Sequence, residues 1–197
     1  MQQVVIIAFL FCVGICRGQE PVLPILKDPL AIVEGAYYKD FDNELGKFVG
    51  TWKYTNGTTS FTIILQKKAM FYEPDDHYYE DIIVGEYRYV NNGIEIVNTL
   101  NNLNVNCLNQ YKYNLAGLVI TDRFVTTAGN RNIKLNFTDP ERDYLNRGIF
   151  VDYVAPSGSV PAKIKVKFTG SMSIVPDDSS PMEIRVPEVD YILTKQP

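Results

Sequence analysis

From residue 48 to the end of the chain, apolar and polar residues take turns. Lys163, Lys165 and Lys167 alternate with Ile164, Val166 and Phe168. Asn132, Lys134 and Asn136 alternate in the same way with Ile133, Leu135 and Phe137. A period of two puts successive side chains on opposite faces of a strand, so each run has one dry face and one wet face. That pattern argues against a doubly buried parallel sheet. Turn residues punctuate the runs. Asn56-Gly57 divides residues 48–54 from Phe61, Ile63 and Leu65, and Asn91-Asn92-Gly93 divides residues 79–90 from residues 94–100. Asn-Gly between two alternating runs is a strong hairpin signal. Further strands are expected at residues 115–125, 133–137, 148–154 and 163–168, and over residues 181–186 and 189–194, which Pro187 either joins or breaks. About nine or ten strands with short turns predict an all-β antiparallel meander, forming a barrel or a strongly curved sheet.

The first forty-odd residues read differently. Pro21, Pro24 and Pro29 make residues 19–38 an extended lead-in, because each proline removes a donor and restricts its neighbour. Residues 40–47 predict a short N-terminal helix, with Asp42 or Asn43 as its cap and Phe41, Leu45 and Phe48 sharing a face. The Asn-rich residues 98–109 fit either a loop or an edge strand.

Ahead of this lies an export signal. Residues 4–15 are an apolar run broken only by Gly14, about the length of a signal core and too short to span a bilayer. Cys16-Arg17-Gly18 places small residues where a signal peptidase reads, giving cleavage before Gln19. The basic residue usual before the core is missing. Neither Cys12 nor Cys16 follows a small residue, so neither fits a lipid-anchor site well. The plan is therefore a signal peptide over residues 1–18, the lead-in over 19–38 and one β domain over 39–197, in an exported chain placed in the periplasm, on an outer membrane or outside the cell. The mature chain then holds one cysteine, Cys107, and no transmembrane segment. A formal charge of -4 repels phosphate backbones, and no basic run offsets it, so nucleic acid is not an expected partner.

The candidates for chemistry are few. His77 is the single histidine, set among Glu73, Asp75, Asp76, Glu80 and Asp81. Such a cluster suits a general base or a calcium site, but it lacks the regular spacing of a calcium loop, and residues 73–81 read as a solvated hairpin tip. Asp177-Asp178-Ser179-Ser180 reads alike. Zinc has too few of its usual ligands, and no nucleophile elbow or phosphate-binding glycine loop occurs. No catalytic residue and no cofactor is assigned. Asn56 and Asn136 stand in sequons. The aromatic residues say more: Trp52, Tyr54, Tyr87 and Tyr89 alternate on two strands that look adjacent. Such stripes either line a ligand cavity or fill a narrow barrel.

The run Phe48-Val49-Gly50-Thr51-Trp52-Lys53 resembles the opening of lipocalin and fatty-acid-binding barrels, where Gly-x-Trp begins the first strand after a helical turn and the Trp closes one end. Arg123 stands where the second lipocalin motif has an aromatic, after Thr121-Asp122, and Arg185-Val186-Pro187 lacks the Arg-x-Tyr of fatty-acid-binding proteins. More of the chain is similar to an uncharacterised family of small exported bacterial proteins, in Gln19, in Val-Gly-Thr-Trp-Lys-Tyr at 49–54, in Val-Gly-Glu-Tyr-x-Tyr at 84–89 and in Leu-Thr-Lys-Gln at 193–196. That resemblance implies export and a lipocalin-like β domain, and no activity. The barrel pattern and its aromatic stripes suggest a non-catalytic binding or scaffolding module, which, if the barrel is open, holds a small apolar ligand against Trp52, Tyr54, Tyr87 and Tyr89. The alternative is a cell-envelope interaction protein with a filled core, acting through loops such as residues 73–81.

Overall fold

A computed structural model describes residues 21–25, 32–104, 109–119, 132–145, 147–170 and 177–197. The expected signal, all three cysteines, Arg123 and its neighbours lie outside the described residues. Eleven strands form one sheet: β1 (Val22–Pro24), β2 (Tyr37–Lys39), β3 (Gly50–Asn56), β4 (Thr59–Glu73), β5 (Tyr78–Asn91), β6 (Ile94–Asn98), β7 (Leu115–Val119), β8 (Ile133–Phe137), β9 (Arg147–Val154), β10 (Lys163–Thr169) and β11 (Tyr191–Lys195). Eight of them close a barrel in the order β5-β4-β3-β11-β10-β9-β8-β7, with β7 returning to β5. Every barrel pairing is antiparallel.

The hairpins fall where the turn residues put them. Gly57 and Gly93 both take left-handed φ angles, which glycine adopts without a Cβ penalty. The closing seam between β5 and β7 has only three register pairs, centred on Val84 and Ala116. Glycines in the two seam strands let β5 approach β4 and β7 approach β8 closely. A Cβ on Gly85 would lie 2.5 Å from the Ile64 carbonyl oxygen, and one on Gly117 would lie 2.3 Å from that of Lys134.

β5 is the organising strand. One edge pairs with β4; the other meets β2, β7 and β6 in succession. The β1–β2 and β2–β5 pairings are parallel, so the sheet is not the wholly antiparallel meander expected. The proline-containing lead-in supplies those strands because β1 is an edge strand, where a proline costs no ladder bond. In place of a helix over residues 40–47, the chain makes turns and then a 3-10 helix at Gly46–Phe48. Asp40 is the reason: its carboxylate accepts from the backbone N–H groups of Glu44 and Leu45, holding a turn whose geometry competes with an α-helix. Residues 181–186 form no strand either. They run across one barrel end, where Ile184 and Val186 are buried. Residues 98–109 begin as the end of β6 and continue, where described, into 3-10 turns at Leu100–Asn104 and Gln110–Lys112.

Inward positions fill the centre. Phe61, Ile63 and Leu65 from β4, Leu135 and Phe137 from β8, Ile149 and Val151 from β9, and Ile164 and Val166 from β10 are buried in one cluster. Among the described residues no helix is long and apolar enough to cross a membrane.

Candidate functional site

The four aromatic candidates are part of that interior. β3 and β5 are not neighbours, because β4 lies between them and places Phe61 between their rings. Tyr87 and Tyr89 meet Phe61 edge-on at centroid distances of 6.0 and 6.2 Å, and Tyr87 stacks on Phe137 at 4.5 Å. Tyr54 packs on Tyr191 at 5.2 Å, and Tyr191 tilts against Phe61 at 4.9 Å. Trp52 stands apart, toward the end where β3 begins. Its indole N–H donates to the Phe48 carbonyl at 2.7 Å, Tyr153 meets it edge-on, and the Lys195 ammonium lies 4.8 Å from its centroid. Three of the four thus share one aromatic cluster, and the fourth seals the opposite end. Trp52 and Tyr87 have no exposed surface, and the Tyr87 hydroxyl donates to the Thr138 carbonyl. Burial pushes the Tyr87 phenol far above its ordinary range.

Charged groups close both ends. At the end where β3 begins, the Lys67 ammonium bridges Asp40 at 2.9 Å and Asp81 at 3.2 Å. Asp81 also accepts from the Tyr37 hydroxyl at 2.6 Å and from the backbone N–H groups of Asp40 and Met70. Burial raises the Asp81 carboxyl, but these donors outweigh it and hold the group below the usual carboxylate range. Met70 has φ 53° at the bulge where the β4–β5 register slips, and Asp81 grips that strained N–H. At the other end Asp139 has no exposed surface and takes the Arg185 guanidinium at 2.6 to 3.1 Å. Arg185 also donates to Glu141 and to the Ile96 carbonyl. A surface cleft of about 210 Å³ opens there between β6 and Glu141, with Arg185 in its lining. It is smaller than usual ligand pockets.

Residues 73–81 depart from the solvated tip that the sequence suggested. Only Pro74, Asp75, Asp76 and His77 are exposed there in sequence, while Glu73, Tyr78, Glu80 and Asp81 are buried. Alternation along β5 sends Glu80 and Asp81 to opposite faces, so the acidic side chains diverge instead of converging on one cation. His77, at φ 54°, meets the Tyr72 hydroxyl through Nδ1 at 3.0 Å on the surface. Asp177 caps its own turn, accepting from the Ser179 N–H and hydroxyl.

The residues that sequence reasoning missed lie on the outer face of β5. Glu80, Ile82, Val84 and Glu86 point away from the barrel centre yet are buried beneath Thr99, Gln110, Tyr113 and Asn114. Glu86 accepts from the Asn114 N–H through one oxygen, and its other oxygen has no partner. Glu80 likewise keeps one unpartnered oxygen. Burial, with the neighbouring Glu73 charge, pushes the Glu80 carboxyl up to about 8, and burial pushes Glu86 up to about 7. The signal in the sequence is Ile82-Ile83-Val84, a break in alternation that marks a strand dry on both faces.

Residues 1–196 match a family described as Family of unknown function (DUF6705). The chain belongs to that family. DUF6705 covers the barrel, the β1–β2 addition and the residues before them in one span. No curated protein and no solved structure matches the chain significantly.

Proposed function

We propose that this DUF6705 chain is an exported, non-catalytic module with a lipocalin-like barrel, and that it binds its partner from the outer surface. The observation that carries this reading is the filled centre. Trp52, Phe61, Tyr87 and Phe137 are each at most 1% exposed and are packed against one another or the barrel's other side chains. An apolar ligand at Trp52, Tyr54, Tyr87 and Tyr89 would have to displace these contacts, losing the dispersion and burial they supply.

Trp52 is the only tryptophan, so its emission reports on the barrel end directly. Titration with retinol, a long-chain fatty acid and an anilinonaphthalene dye is expected to leave that emission unchanged. Saturable quenching by any of them would overturn the filled-barrel reading and restore a ligand site at the four aromatics.

Export rests on residues 4–15 and on Cys16-Arg17-Gly18. Protein recovered outside the cytoplasm is expected to begin at Gln19; a mature chain that retains Met1 would refute the cleavage.

A further inference from the structure

The outer wall of the barrel is not uniform in charge. Acidic residues gather at the turns and the two ends, among them Asp42, Glu44, Asp75, Asp76, Asp177 and Asp178. The wall from β8 through β11 to β3 carries the opposite sign. Sheet register aligns Lys134, Phe150 and Lys167 in one row, Asp152, Lys165 and Ile192 in the next, and Val154, Lys163, Thr194 and Lys53 in a third. Five lysines therefore share one outward face with Asp152. Among the described residues none of the five ammonium groups lies in an ion pair.

Strand spacing sets the scale. Lysines two residues apart stand about 7 Å from each other along β10, and neighbouring strands are about 4.8 Å apart. Lysines along β10 are thus within the roughly 8 Å screening length of physiological salt, and Lys134 and Lys53, each two strands from a β10 lysine at about 10 Å, lie close to it, so the charges act on a partner together. Apolar side chains sit among them, with Ile192 53% and Val154 37% exposed. All five cations are lysines, compact point charges on flexible stems, which suit a diffuse anionic surface better than the planar fork of arginine suits it. Basic and apolar groups on one face are the two contributions that hold a peripheral protein on a charged bilayer.

We infer that the wall formed by β8–β11 and β3 docks on the anionic headgroups of a lipid bilayer. This deepens the reading of an outer-surface binder and rests on it.

The test is sedimentation of the full chain with phosphatidylcholine vesicles, with and without phosphatidylglycerol. Binding is expected to need phosphatidylglycerol and to weaken as salt is raised. The triple variant Lys163→Gln, Lys165→Gln, Lys167→Gln is expected to lose about 100-fold in affinity, since each lysine near an anionic surface contributes comparably. Lys112→Gln, away from that wall, is expected to change nothing. Equal sedimentation with neutral vesicles, or an unaltered triple variant, would overturn the inference. So would binding to dextran sulfate without binding to the anionic vesicles, which would assign the wall to a soluble polyanion. If Trp52 emission stays flat while vesicle binding fails, only this inference falls; if the emission responds to the apolar probes, the outer-surface reading itself falls.

Discussion

Stability is expected to decline from mildly acidic to neutral pH, and Glu80→Gln to flatten much of that decline. The sign follows from proton counting. Unfolded, the Glu80 carboxyl titrates near 4.5; folded, burial and the Glu73 charge hold it near 8. Below 4.5 both states carry the proton and Glu80 contributes no slope. Between 4.5 and 8 the unfolded chain releases a proton that the folded chain keeps, so folding loses about 1.4 kcal/mol per pH unit. By pH 7 the loss from this residue is on the order of 3 kcal/mol. Glu86 adds a similar slope up to its folded value near 7. On the acid side, Asp81 and Asp139 work the other way. Their folded values are lowered, so their contribution is present above the unfolded value near 3.8 and disappears as pH falls through the folded one. The maximum therefore lies on the acid side of neutrality. Urea midpoints at pH 5, 6, 7 and 8 check this. A wild-type profile that is flat across that window, or a Glu80→Gln profile as steep as wild type, would show that water reaches the carboxyl.

Arg185→Ala is expected to cost about 3 kcal/mol, because it leaves the buried Asp139 carboxylate without its cation. The backbone N–H groups of Glu141 and Arg185 still donate to that carboxylate, which keeps the loss at the lower end for a broken buried pair. Adding Asp139→Asn is expected to recover part of the stability, since the remaining group is neutral. Denaturant midpoints of the two variants decide it. A loss below about 1 kcal/mol for the single variant would place the pair among weak surface bridges instead.

Much of the barrel was legible because its signals are local. Asn56-Gly57 and Asn91-Asn92-Gly93 fix two hairpins, and the Lys163–Lys165–Lys167 alternation fixes both the strand and its wet face. What escaped depends on residues far apart. β1 and β2 are too short to show a period, and β2 finds its parallel partner in β5, some forty residues on. The helix expected after Asp40 gave way because that carboxylate found Lys67 and two backbone donors instead. Arg185 looked like a missing ligand-binding motif when read alone; in the fold it serves Asp139. Glu80 read as part of a solvated tip because acidic residues ordinarily are exposed, and only the chain crossing over β5 buries it and Glu86.

The narrow seam between β3 and β11 makes barrel closure hang on the last strand. It has two register pairs, Thr194 with Lys53 and Lys195 with Trp52, and the Lys195 ammonium reaches the Val49 carbonyl across 146 residues of sequence. β11 is the strand that joins β3 to β10, so the wall stays open until it docks. Without residues 191–195 in place, two raw edges and the indole of Trp52 lie open to the surroundings.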